Sequence, residues 1–272
     1  WIQEDGGRLR RATTRYLGQV DVGSESVPAL GDLDADGDLD LLVGNKLDPG
    51  ELRASRVYRF ENVGDPGAPS YRLADTLNLG DAYHYAPVLV DLDADGDLDL
   101  VAGTWNDGVL LYRNEGTPEE PDFVSAGALV EITRGSDTTP AFADVDGDGD
   151  LDLMVGEGVG ELNFYRNDGT AEEPRFVLVS DNYMGIDAGR RSHPSFLDVD
   201  GDGDPDLVVG REDPGALVFL NDGAGGGWEA DDSFRIPLPN YGAPTYGDVD
   251  GDGDPDVVSG SLAGGLVYLE AR

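Results

Sequence analysis

A nine-residue aspartate pattern, D-x-D-x-D-G-D-x-D, occurs five times in this 272-residue chain and each time leads directly into an apolar segment. The spacings between successive copies are 59, 53, 54 and 50 residues. A chain with such a period consists of similar units arranged side by side, and a period of roughly 50 residues is typical of propeller blades with four short strands. The copies begin at Asp32, Asp91, Asp144, Asp198 and Asp248.

Further positions repeat with the same period and indicate four strands per unit. An apolar run that ends in glycine follows each pattern, as at 41–44, and predicts a buried strand. An alternating segment, as at 109–114, predicts a third strand that enters a turn. A fourth strand is predicted to begin at an aromatic residue, namely Tyr16, Tyr71, Phe123, Phe176 or Phe234. The proline that would open each first strand lies four residues before the pattern, at Pro28, Pro87, Pro140, Pro194 and Pro244.

The two ends of the chain complement each other. The last unit stops after its third strand, near 265–269, whereas residues 15–22 look like a fourth strand without a unit of its own. Joining the two would close a ring and remove exposed sheet edges. We therefore predict an all-β, five-bladed β-propeller of four-stranded antiparallel blades, closed by an N-terminal strand that joins the last blade, as one domain over residues 1–272. An insertion is expected near 46–56.

The aspartate pattern has the chemistry of a calcium loop. Alternating carboxylates and a glycine at position six, where the chain turns sharply, bring several hard oxygen atoms onto one Ca²⁺. Merely solvated loops would leave these carboxylates crowded, at about 1 kcal/mol per close pair even in water. We predict five structural Ca²⁺ sites, in the loops 32–40, 91–99, 144–152, 198–206 and 248–256.

The predicted side-chain ligands are the aspartates at positions one, three, five and nine, and the aspartate at position seven is expected to contribute its backbone carbonyl. The side-chain set is Asp32, Asp34, Asp36, Asp40, Asp91, Asp93, Asp95, Asp99, Asp144, Asp146, Asp148, Asp152, Asp198, Asp200, Asp202, Asp206, Asp248, Asp250, Asp252 and Asp256. The position-seven set is Asp38, Asp97, Asp150, Asp204 and Asp254.

The charge of the chain limits its partners. The formal net charge is −38, and five bound Ca²⁺ would change it to about −28. This excess of negative charge argues against nucleic acid and against anionic membranes as partners. There are no cysteines, so calcium would take the place of disulfide bonds, and no apolar stretch is long enough to insert into a membrane. A secreted or cell-surface location is expected, because calcium is abundant there.

The extended motif D-x-D-x-D-G-D-x-D-L-x-V-G, preceded by proline and followed by Tyr-Arg-Asn, resembles the FG-GAP/VCBS repeats of integrin-α-like propellers. The resemblance covers nearly the whole chain and implies calcium loops between the first and second strands of each blade. It also implies an adhesion module, a lectin, or a part of a polysaccharide-degrading enzyme. The chain departs from the integrin pattern in having five units rather than seven, and Pro205 and Pro255 replace leucine at loop position eight.

Function is expected on the face opposite the calcium loops, because the loops there differ between units while the scaffold repeats. Aromatic rings beside polar side chains suit sugars, so a glycan is the first predicted partner. The candidate ligand-binding residues are Tyr83, His84, Tyr85, Trp105, Asn106, Tyr183, Arg191, His193, Arg211 and Tyr241. Each also has a structural interpretation, with the aromatic residues and histidines in packing and the arginines offsetting negative charge. Trp228 is expected in a glycine-rich turn on the outer rim.

Two alternatives to carbohydrate binding remain at this point. One is a scaffold that binds an extracellular protein. The other is an enzyme acting on polysaccharides, for which the best set of residues would suit β-elimination from a uronate polymer. That set is Tyr83, His84, Tyr85, Arg190 and His193. No nucleophile elbow, zinc-protease motif or cysteine nucleophile is present, and no catalytic residue is assigned.

Overall fold

The computed structural model describes residues 10–11, 17, 20–48, 54–65, 67–130, 132, 136–221, 223 and 227–271. These form five antiparallel sheets of four strands each, so the predicted five-bladed β-propeller is confirmed. Blade 5 contains β1 (Arg10–Arg11), and blade 1 contains β2 (Val27–Gly31), β3 (Asp40–Gly44), β4 (Val57–Asn62) and β5 (Tyr71–Leu77).

The remaining blades follow in chain order. Blade 2 consists of β6 (Ala86–Val90), β7 (Asp99–Gly103), β8 (Val109–Asn114) and β9 (Phe123–Val130). Blade 3 consists of β10 (Thr139–Ala143), β11 (Asp152–Gly156), β12 (Leu162–Asn167) and β13 (Phe176–Ser180). Blade 4 consists of β14 (His193–Leu197), β15 (Asp206–Gly210), β16 (Ala216–Asn221) and β17 (Trp228–Ala230). Blade 5 is completed by β18 (Ala243–Gly247), β19 (Asp256–Gly260) and β20 (Val267–Glu270).

The first strands of the blades surround a central channel. Each contacts the first strand of the next blade, and β18 contacts β2, which closes the ring. The channel encloses about 270 Å³. The second strands, buried along their whole length, supply the apolar layers between the sheets. Apart from a single 3-10 turn at Tyr183–Gly185, the described residues contain no helix, and none that could span a membrane.

Ring closure uses an earlier part of the chain than expected. Arg10 and Arg11 pair with Glu270 and Leu269, so the N-terminal strand does join the last blade. Half of the predicted strand at 15–22, including Tyr16, lies outside the described residues, as does the middle of the insertion at 46–56. In the segment 15–22, Asp21 forms an isolated β-bridge with Gly265 and is not part of a strand.

The fourth strand of blade 4 was wrongly predicted. It begins at Trp228, which pairs with Asn221, whereas Phe234 lies outside any strand. Trp228 was expected on the outer rim, but it is only 8% exposed, and its Nε1 donates a hydrogen bond to Tyr183 Oη at 3.1 Å. Burial of a large ring with its N–H satisfied outweighs the turn preference of the preceding glycines.

The glycine that ends each second strand marks the contact between neighbouring blades. A Cβ atom built on Gly103 would lie 2.0 Å from the carbonyl oxygen of Thr138, which precedes the first strand of the next blade. The same contact joins Gly260 of blade 5 to the Ser26 carbonyl of blade 1. The equivalent glycines in the other blades are Gly44, Gly156 and Gly210. Only a residue without a side chain fits, which explains the glycine in every repeat.

We expect Gly103→Ala to lower the free energy of unfolding by about 1 to 3 kcal/mol or more, because overpacking against a fixed backbone cannot be relieved by a side-chain rotation. Urea unfolding in calcium would measure the change. Gly265→Ala is the matched control, since a Cβ there would meet no atom within 4 Å. Equal stability of the two variants would contradict the proposed role of the interblade contact.

Candidate functional site

The five aspartate loops connect the first and second strands of their blades and therefore lie at one end of the ring. Glycine at position six has φ between 94° and 100° in every loop, a region open to glycine at little cost. In the first loop the Gly37 N–H donates to Asp32 Oδ2 at 3.0 Å, which folds the chain back over the position-one carboxylate. The equivalent bond, from position six to position one, recurs in the other four loops.

The position-nine aspartate ties each loop to the sheet. Asp152 is 1% exposed and accepts the N–H of Asn167 at 2.8 Å and the N–H of Val145 at 3.2 Å. Its counterparts accept the backbone N–H that ends the third strand of their own blade. Burial, with neighbouring carboxylates adding to it, raises the pKa of Asp40, Asp152 and Asp256 to about 6. A divalent cation among these oxygens would favour the charged form instead.

The donors in the loops fit calcium. One oxygen atom from each of Asp144, Asp146 and Asp152 lies within 4.8 Å of the others, and Asp198, Asp200 and Asp206 form the same set in the fourth loop. In the first two loops the aspartates at positions one, three and five are grouped in this way. In the first loop the Oδ1 atoms of Asp32, Asp34 and Asp38 are buried without a hydrogen-bond partner. Buried, unpaired carboxylate oxygens are costly unless a cation takes them. Bound calcium would neutralise these carboxylates and cross-link the loop.

At position seven the side chain is a second candidate donor beside the backbone carbonyl. The sequence predicted only a backbone carbonyl ligand there, yet the side-chain Oδ1 atoms of Asp38, Asp97 and Asp150 are buried and have no hydrogen-bond partner. Their side chains therefore offer an oxygen donor in addition to the carbonyl.

At the other end of the ring, five residues surround the mouth of the central channel. Each lies three residues before the proline of its first strand, and each has a left-handed backbone, with φ between 52° and 65°. None is glycine, although glycine adopts this conformation at the lowest cost. We call these residues the inner ring: Glu25, His84, Asp137, Arg191 and Tyr241.

A second set of residues, two positions after each second-strand glycine, lies beside the inner ring and is called the outer ring: Lys46, Trp105, Gly158, Glu212 and Leu262. Backbone hydrogen bonds join the two rings. The Trp105 N–H donates to the Tyr83 carbonyl at 2.7 Å, and the Asp137 N–H of the next blade donates to the Trp105 carbonyl at 3.0 Å. Equivalent bonds recur around the ring, except that the Ser55 hydroxyl mediates between Lys46 and His84.

The ring side chains also contact one another across blades. Arg191 pairs with Glu25 and places its Nε 3.1 Å from Asp137 Oδ2. Its guanidinium carbon lies 4.9 Å from the centre of the Tyr241 ring. Asp137 in turn contacts His84 Nδ1. One arginine therefore connects charged or aromatic groups from several blades at the channel mouth.

Two aromatic side chains adjoin this cluster. The Tyr83 and Trp105 rings meet edge to face, with centroids 6.1 Å apart. Lys46 Nζ lies 4.5 Å from the centre of the Trp105 ring and 3.0 Å from Glu25 Oε2. Tyr241 Oη donates to Glu212 Oε1 at 2.8 Å. The mouth thus combines half-buried aromatic rings with cations that are already paired with carboxylates.

The structure brings together half of the ten predicted ligand-binding residues: Tyr83, His84, Trp105, Arg191 and Tyr241. Asn106 is exposed next to Trp105. Three others lie elsewhere: Tyr85 is a core residue at 1% exposure, Tyr183 packs on Phe164, and Arg211 lines a groove on blade 4. His193, at the start of β14, is 8% exposed and lines the central channel. Tyr85 is thus too buried to meet a ligand from solvent.

Sequence reasoning missed Glu25, Lys46, Asp137 and Glu212. Aligning the five repeats on the strand-opening proline and the second-strand glycine would have found them, because each occupies the position of a residue that was selected. Nothing else in the sequence marks these four positions as functional, because charged residues are common in this strongly acidic chain.

The residues considered for β-elimination do not form an accessible set. His84 is 3% exposed and contacts Asp137, while Tyr85 lies in the core. Burial lowers the pKa of His193 to about 4. For Asp137 burial acts to raise the pKa, but the hydrogen bond and charge of His84 outweigh it, so that its pKa is lowered. The contact between His84 and Asp137 holds these two groups in place within the mouth.

Comparison with protein-family models identifies a repeat family. The profile of the FG-GAP-like repeat matches residues 91–155, 144–209 and 198–259, which together span more than half of the chain. The comparison with curated proteins gave no match.

Proposed function

The chain belongs to the FG-GAP-like repeat family, and from this premise we propose that it is a calcium-stabilised extracellular module that binds carbohydrate at the channel mouth. FG-GAP repeats are typical of extracellular or surface proteins. The fold alone does not determine the ligand, so the proposal rests on the residues at the channel mouth.

The observation that carries the proposal is the left-handed backbone of all five inner-ring residues. A non-glycine residue in this region costs on the order of 1 kcal/mol or more, and such strain concentrates at binding sites. Five different side chains occupy the five equivalent positions, while the main-chain hydrogen bonds around them recur from blade to blade. The repeated backbone therefore presents five chemically different side chains at one mouth, which suits a binding surface.

The chemistry of the mouth favours a neutral sugar. Half-buried Trp105 and Tyr83 offer aromatic surface for the C–H face of a pyranose, and Glu212 and Tyr241 offer acceptors and donors for hydroxyl groups. Arg191 and Lys46 are already paired with carboxylates, so they would not bind a polyanion without losing those partners. The net charge of −38 also repels acidic polysaccharides.

A protein-binding scaffold is the second candidate, and the outer strand of blade 3 favours it. Val177, Leu178 and Val179 are consecutive in β13 and are 36%, 45% and 54% exposed. An exposed apolar edge strand is a common surface for a protein partner.

A glycan array with calcium-loaded protein tests the proposal, with product formation followed in the same wells. Truncation of an aromatic contact residue commonly costs tenfold or more in affinity, so we expect Trp105→Ala and Tyr83→Ala to lose binding by about that factor. Leu178→Ala is the control, because it removes a similar exposed apolar group on β13. Equal binding by all variants would place the ligand elsewhere, turnover would indicate an enzyme, and a glycan-silent protein would favour the scaffold.

A further inference from the structure

The five blades differ at one position beside the aspartate loop, the residue just before the one whose N–H the position-nine aspartate accepts. This residue projects from the same sheet that the position-nine aspartate holds. It is acidic in blades 1 and 5, basic in blades 2 and 3, and apolar in blade 4. The residues are Glu61, Arg113, Arg166, Leu220 and Glu270.

In blade 2 this residue enters the aspartate loop. Arg113 Nη1 lies 2.8 Å from Asp93 Oδ2, at loop position three, and also pairs with Asp99, at position nine. Asp99 is 2% exposed and the Arg113 side chain is 23% exposed, so water screens this contact only in part. A guanidinium thus bridges two carboxylates that the calcium site requires.

The equivalent arginine of blade 3 behaves differently. Arg166 Nε donates to Asp168 Oδ1 at 2.7 Å, in the turn that follows its own strand, and its side chain is 47% exposed. Among the described residues Arg166 forms no ion pair with Asp146 or Asp152, the equivalents of Asp93 and Asp99. The two arginines share a position but only one is paired with its aspartate loop in this way.

The unpaired oxygens do not distinguish loops 2 and 3, because each has one buried carboxylate oxygen without a hydrogen-bond partner, the Oδ1 atom of Asp97 or of Asp150. The distinguishing feature is the position of Arg113, an internal cation that already pairs with two carboxylates of loop 2. Bound calcium would have to displace the guanidinium or share its carboxylates.

We infer that Arg113 is an internal counter-ion that makes the aspartate loop of blade 2 the weakest of five unequal calcium sites. This inference rests on the proposed role of calcium. A guanidinium lowers the pKa of a neighbouring carboxylate by about 1 to 3. Calcium has to compete with an interaction of that strength, which would weaken its binding to the site by about tenfold or more.

The test is a calcium titration of chelator-treated protein in competition with a chromophoric chelator, on wild type, Arg113→Leu and Arg166→Leu. Leucine is the residue that blade 4 carries at this position. Four equivalents should bind wild type about tenfold or more tightly than the fifth. Arg113→Leu should bring the fifth close to the others, whereas Arg166→Leu should leave the pattern unchanged. Five equal sites in wild type, or the same response to both substitutions, would overturn the inference.

Calcium release gives a second measurement that needs no folded metal-free protein. Loaded protein is mixed with a fluorescent chelator, and the equivalents released in each phase are counted. Wild type should release one equivalent ahead of the rest, and Arg113→Leu should lose that early phase. A merely structural arginine would leave the phases unchanged. Absence of calcium from all three proteins would refute the calcium proposal itself, an outcome distinct from five equal sites.

Discussion

Excess chelator is expected to lower the melting temperature of the calcium-loaded protein by tens of degrees. A site filled at a hundred times its dissociation constant contributes about 2.7 kcal/mol, so five sites would contribute on the order of 13 kcal/mol. For a chain of this size about 1 kcal/mol corresponds to 2–4 °C. The physical reason is that each loop crowds five carboxylates, of which the one at position nine is buried, and these repel one another without a cation.

Differential scanning calorimetry with and without chelator would measure this change, with metal loss verified by elemental analysis. Readdition of Ca²⁺ should restore the melting temperature. Mg²⁺ should restore it only in part, because Mg²⁺ demands a smaller, octahedral site. An unchanged melting temperature after verified metal loss would contradict the structural role of calcium.

Asp152→Ala is expected to destabilise the protein by about 3 to 6 kcal/mol in calcium, as two buried N–H groups lose their acceptor at about 1 to 3 kcal/mol each and a metal ligand is lost. These groups are the backbone amides of Asn167 and Val145. Asp152→Asn should be less harmful, because its amide oxygen can still accept one of the two bonds.

Denaturant unfolding of the two variants would measure the effect, with Asp232→Ala as the control. Asp232 is exposed on blade 4 outside the aspartate loops, so its loss removes the same charge without the buried bonds. A loss of less than 1 kcal/mol in Asp152→Ala would show that position nine neither holds the loop nor binds the metal.

The fold was predictable because the five copies of the motif place strand boundaries at the same positions, so each copy supports the assignment made for the others. Strand β7, for example, follows its aspartate loop and ends at Gly103 as the repeat predicts. Where a repeat departs from the others, the prediction was wrong. The glycines before Trp228 resemble a turn, and only the packing of its ring against Phe196, 6.2 Å away, shows why the strand begins there.

The channel mouth was only half predictable. Trp105 and Tyr83 attract notice as aromatic residues in variable loops, but Glu25 and Asp137 do not stand out among 56 acidic residues. Their proximity to Arg191 results from the ring, which brings Glu25 next to Arg191 although the two residues are 166 positions apart. A periodic sequence determines the blades, but contacts between side chains of different blades depend on three-dimensional distances.

The main-chain hydrogen bonds between the inner and outer rings have an evolutionary consequence. Because these bonds do not involve side chains, ten positions can change identity while the frame that presents them is retained. The mouth is therefore suited to combinatorial diversification, one blade at a time, in nature or in a designed library. The junction between blades 1 and 2 is the exception, since the Ser55 hydroxyl stands in for a main-chain bond there, and a library should keep that serine fixed.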